Sequence, residues 1–70
     1  MSWKILVVED EKLMLEMAQT TLEIAGHSVV TCDSGADAVQ VFQESKPDVV
    51  ILDWMLPGKD GLEILQELVS

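Results

Sequence analysis

Three carboxylates stand where chemistry could be done. Glu9 and Asp10 directly follow the apolar run Ile5-Leu6-Val7-Val8, and Asp53 directly follows the run Val49-Val50-Ile51-Leu52. In an open parallel sheet, ligands bind beyond the carboxyl ends of the strands, where the strand order reverses. If these two runs are neighbouring strands, the three acids converge on one small site. Carboxylates that close repel unless a shared proton or a cation intervenes. A hard divalent ion resolves the repulsion, and Mg²⁺ takes one or two protein carboxylates while keeping several waters that phosphate oxygens can replace. Such a metal would also neutralise the charge that develops when a carboxylate attacks phosphorus, which makes Asp53 a candidate nucleophile for an acyl phosphate. The bland alternative is three solvated acids at loop entrances, since acids at strand ends and helix caps are common.

The elements that must position these acids are legible in the patterning. Both apolar runs are continuous and largely β-branched, as suits strands covered on both faces. Ser28 to Asp33 reads as a weaker strand at a sheet edge, being less apolar. A first helix is expected to begin near Asp10 or Glu11. It places Met14, Met17, Ala18, Thr21, Leu22 and Ala25 on a packing face and stops at Gly26. A second starts after Ser34, which with Asp37 resembles a capping box, turns Ala38, Val39 and Phe42 inward and ends before Pro47. A third begins at Asp60, with Leu62, Leu65, Leu68 and Val69 inward. Strands separated by single helices imply right-handed crossovers, so the expected fold is α/β: a β-α-β-α-β-α half of a doubly wound parallel sheet, strand order 2-1-3.

Composition limits the function classes. The 70 residues include 13 acidic and 4 basic side chains, a net charge of -9, so direct nucleic-acid binding by this segment is not expected, whereas metal ions are favoured. The apolar share of 49% argues for a folded domain or part of one. No signal-peptide pattern and no apolar stretch of bilayer length is present, so neither export nor membrane insertion is expected. The single cysteine, Cys32, reads as a buried reduced thiol, which fits a cytoplasmic setting.

Other residues read as structural. His27, just after Gly26, is expected to be an exposed loop residue, with no metal-spaced partner. Trp3 and Trp54 are expected at hydrophobic margins. The sequence has no glycine-rich phosphate loop, no nucleophile elbow and no Asp-x-Asp after either apolar run, so independent enzymatic turnover is not expected.

The segments Ile5-Leu6-Val7-Val8-Glu9-Asp10-Glu11 and Val49-Val50-Ile51-Leu52-Asp53-Trp54-Met55-Leu56-Pro57-Gly58, followed by Asp60-Gly61, resemble the signature blocks of response-regulator receiver domains, in the same order and separation. The resemblance covers essentially residues 1–70, which would supply the first three βα units of a flavodoxin-like domain with no output domain. It is strongest to the subfamily that carries a winged-helix DNA-binding domain and hence regulates transcription. Residue by residue, it implies that Asp53 is phosphorylated from a sensor histidine kinase's phosphohistidine. It further implies that Asp10 binds Mg²⁺ directly, that Glu9 acts mainly through water, and that Met55 offers its backbone carbonyl to the metal. Pro57 and Gly58 would shape the following loop, and Gly61 would let the third helix start close to the sheet. The family's hydroxyl residue after a fourth strand and lysine after a fifth have no counterpart in this sequence. The competing expectation is a structural fragment whose third strand offers an open edge, so that two copies form a homodimer by edge pairing or by exchange of elements.

Overall fold

The computed structural model describes residues 2–52. Five elements follow in order: β1 (Lys4–Val8), α1 (Lys12–Ile24), β2 (Ser28–Cys32), α2 (Gly35–Ser45) and β3 (Val49–Leu52). The expected third helix lies outside the described residues. The strands form one parallel sheet in the order β2-β1-β3, the order expected from the alternation of strands and helices. In the register, Leu6 lies opposite both Val30 and Val50, and Val8 opposite both Cys32 and Leu52.

The residue types explain the arrangement. β1 is central and covered on both faces, so all of Ile5, Leu6, Val7 and Val8 are buried, which is why its apolar run is continuous rather than alternating. β2 occupies an edge, as its weaker apolar character indicates. On one face Leu6, Val8, Cys32 and Ala38 form the buried cluster, with Val30, Val41, Phe42, Val50 and Leu52 packed against it. This is the α2 side. On the other face Ile51 shares a groove with Met14, Met17, Ala18, Thr21 and Leu22 of α1.

Caps set the helix limits. Glu11 is the N-cap of α1 and accepts from the Leu13 N–H at 3.3 Å, within a residue of the expected start. At the other end Gly26 N–H donates to the Glu23 carbonyl at 3.0 Å and His27 N–H to the Leu22 carbonyl at 3.1 Å. That pair of bonds is a Schellman closure, and Gly26 supplies its left-handed residue with φ 99°. Ser34 caps α2 by accepting from the Ala36 N–H at 3.1 Å. α2 ends at Lys46, itself left-handed with φ 50°, because a residue before proline disfavours the helical region.

The packing face expected on α1 needs correction. Ala18 and Leu22 are half-buried, but Met14 and Met17 are 53% and 56% exposed, and no residue of α1 is buried. Among the described residues β3 has β1 on one side and no strand on the other. The groove beside Ile51 is therefore only partly filled by α1.

Candidate acidic site at the carboxyl ends of the strands

The first crossover, through α1, runs from β1 to β2 on one side, and the second, through α2, runs from β2 back past β1 to β3 on the other. The crevice between β1 and β3 is thus the point where strand order reverses, the general location for ligands in such sheets. The acids after β1 begin here. Glu9 is half-buried and extends the ladder to β2, its N–H donating to the Cys32 carbonyl at 3.0 Å. Its Oε1 accepts from the Glu11 N–H at 3.1 Å, so the carboxylate shapes the turn that launches α1. Glu9 also lines a cleft of about 220 Å³ with Val7, Val8, Met14, Ile51 and Leu52, at the β1–β3 crevice.

Asp10 is exposed and faces a different space. It lines a cleft of about 370 Å³ with Lys12, Glu16, Gln19, Thr31 and Asp33, between the start of α1 and the end of β2. Asp33 is a neighbour that the sequence did not single out. Its signal is visible in hindsight: it follows β2 as Glu9 follows β1, and parallel strands in register bring their carboxyl ends to one side of the molecule.

Asp53 and Met55 lie outside the described residues, as do Trp54, Pro57, Gly58 and Gly61. What the structure fixes is the strand leading to Asp53: Leu52 pairs with Val8, the residue before Glu9. Both acidic segments therefore depart from the same rung of the ladder. Among the described residues no group of three or more His, Cys, Asp or Glu side chains is arranged to hold a metal. The donor chemistry at this edge nevertheless fits a hard cation: two carboxylates leave β1 in succession, and a third follows β3 in sequence.

His27 departs from its expected role. Rather than an exposed loop residue, it is half-buried, accepts from the Trp3 backbone N–H at 3.1 Å and stacks on the Trp3 ring. Cys32 is buried, as expected, and its thiol donates to the Ser34 carbonyl at 3.1 Å. No helix of the described residues is long and apolar enough to cross a membrane.

A three-stranded parallel sheet in the order β2-β1-β3, with an acid following β1 at its switch point, defines a doubly wound α/β protein. The comparisons with known proteins give the class its family. The model of the response regulator receiver domain matches residues 5–70, and the chain belongs to that family. Its structure is similar to the N-terminal domain of a response regulator receiver protein from Methanoculleus marisnigri, at 32% identity and TM-score 0.93 over 97% of this chain and 55% of that one. It is similar to the beryllium-fluoride-activated N-terminal receiver domain of RstA from Klebsiella pneumoniae, at 38% identity and TM-score 0.91 over 94% of this chain and 56% of that one. It also resembles the Thermotoga maritima response regulator TrrA in complex with Mg²⁺ and beryllium fluoride, at 37% identity and TM-score 0.89 over 93% of this chain and 56% of that one. The chain spans about half the length of these relatives.

Proposed function

We propose that this chain is the phosphoryl-accepting segment of a two-component response regulator, with Asp53 as acceptor and a sensor histidine kinase as donor. The observation that carries the reading is the pairing of Val8 with Leu52, which starts the Glu9–Asp10 turn and the Asp53 position from one rung of the sheet. A carboxylate oxygen of Asp53 would attack phosphorus of the phosphohistidine. The O–P bond forms, the N–P bond breaks, and the electron pair of that bond returns to the imidazole nitrogen. Glu9, Asp10, Asp53 and the Met55 carbonyl are the groups assigned to Mg²⁺, which when bound would offset the negative charge gathered there. Glu9 has a second duty, holding the Glu11 N–H, and Asp10, exposed on the β2 side of the turn, would serve the ion directly once its side chain turns toward the β1–β3 crevice. The segment accepts a group and passes on a state rather than turning over a substrate. Winged-helix output and transcriptional control belong to the same reading, as does a cytoplasmic location, with no nucleic-acid contact by this acidic segment.

The test is a titration with Mg²⁺ and beryllium fluoride in a Trp3→Phe background, so that Trp54 beside Asp53 reports alone. Saturable change in Trp54 emission is expected, and Asp53→Asn should abolish it. Asp10→Asn should raise the Mg²⁺ concentration required by roughly tenfold or more, in line with loss of a charged oxygen ligand. An emission indifferent to both additions would reject the reading.

A second reading, self-association through β3, is favoured by the exposure of Ile51, 43%, beside Met14 and Met17 on a strand with no neighbour on its outer side among the described residues. An exposed apolar edge is a template for another strand. Sedimentation at several concentrations separates the two: a concentration-dependent dimer that ignores Mg²⁺ and beryllium fluoride supports the structural role, and a monomer throughout removes it.

A further inference from the structure

The amino end of the sheet, opposite the acids, carries a contact that neither the core nor the acidic site uses. Trp3 and His27, 24 residues apart in sequence, meet there. The Trp3 N–H donates to His27 Nδ1 at 3.1 Å, and the two rings stack with centroids 5.4 Å apart and planes inclined by 11°. The Trp3 carbonyl accepts from the Ser28 N–H at 2.9 Å. The residue before β1 is thus tied by its N–H to the turn between α1 and β2 and by its carbonyl to the first residue of β2. That turn is itself fixed by the Schellman closure at Gly26, whose second bond starts from the His27 N–H, so the imidazole is presented from a firm support.

An imidazole nitrogen that accepts a hydrogen bond carries no proton, and with Nδ1 accepting, the neutral ring holds its proton on Nε2. Protonating the ring turns Nδ1 into a donor pointed at another donor. We propose that Trp3 and His27 form a proton-sensitive latch on the entry to β1, closed by the neutral imidazole and released when His27 takes up a proton. The charged groups on the described elements that meet at this end are Glu23 of α1, Glu44 of α2, Lys4 of β1, and Lys46 and Asp48 between α2 and β3; β2 brings none. Lys4 and Asp48 are engaged without the ring: the Lys4 N–H donates to Asp48 Oδ2 at 2.9 Å, the Asp48 N–H to the Lys4 carbonyl at 2.7 Å, and Lys4 Nζ to the Ser45 carbonyl at 2.9 Å. Release therefore frees the Trp3 N–H alone, while the Trp3 carbonyl stays bonded to the Ser28 N–H and β1 stays anchored from Lys4 onward. Because an imidazolium is attracted to an indole face, the rings can remain stacked after the backbone bond has gone. The Trp3 amide, rather than indole emission, is the group that reports the latch.

Nuclear magnetic resonance of the full chain across the titration of the His27 ring tests this directly. The Trp3 amide is expected to lose roughly fivefold of its protection against exchange, relative to the intrinsic rate, as the ring protonates, the size of one net hydrogen bond. Its shift should follow the same midpoint as the His27 ring protons. His27→Phe keeps a stacking ring without an acceptor and should show the low protection at every pH. If that variant does not fold, the wild-type titration still decides. A Trp3 amide whose shift and protection ignore the His27 titration, or a neutral ring found with its proton on Nδ1, overturns the latch.

Discussion

Cys32 shows how a residue's surroundings set its chemistry. Its side chain belongs to the buried cluster on the α2 face, and burial pushes the thiol above its ordinary value of 9.0, with the negative charges of Asp37 and Asp33 acting in the same direction. The thiolate is thereby disfavoured, and the thiolate is the reactive form. A thiol reagent at neutral pH is expected to label the folded chain far more slowly than the chain in denaturant; equal rates would show that Cys32 is not shielded. The linkage has a definite sign. A group whose folded value is raised contributes stability that is present below its unfolded value and lost as pH rises through the folded one. Urea midpoints should therefore fall above about pH 9, and Cys32→Ala should remove that part of the alkaline loss, although it opens space in the core and lowers stability at all pH values.

At the scale of elements, the limits of α1 are set by Glu11 at one end and Gly26 at the other. A Cβ at Gly26 would meet nothing within 4 Å, so Gly26→Ala carries no steric clash with its neighbours. The cost comes from the backbone alone, because φ of 99° lies where residues with a side chain are strained. A loss of about 1–2 kcal/mol is expected from denaturant unfolding, with the fold retained. A change near zero would mean that the turn relaxes to another conformation. The methionines of α1 show the limit of pattern reading at this scale. Their three-and-four spacing locates an apolar stripe, but spacing says nothing of what lies opposite. Met14 and Met17 face a groove that Ile51 only partly closes.

For the molecule as a whole, stability rests on the central strand. Leu6 has no exposed surface and faces the α2 side of the core. Leu6→Ala is expected to cost about 2–5 kcal/mol, comparable to the whole stability of a chain this small. Loss of the cooperative urea transition is the outcome to look for, and a variant as stable as the parent would contradict a core centred on β1.

Sequence by itself determined the kinds and order of the elements, because continuous β-branched runs, Ser34, Gly26 and Pro47 act through local sterics and caps. It also determined that acids follow β1 and β3, and through the signature segments around Glu9, Asp10 and Asp53 it pointed to the family. Only the tertiary structure decided that Glu9 and Asp10 line different clefts, that Asp33 joins Asp10, that among the described residues the stripe on α1 is largely uncovered, and that His27 reaches Trp3. Each of these depends on contacts between residues distant in the chain. The direction of a side chain after a strand is chosen by the turn's hydrogen bonds and by the neighbours across the sheet, neither of which is encoded in the spacing of residues along one segment.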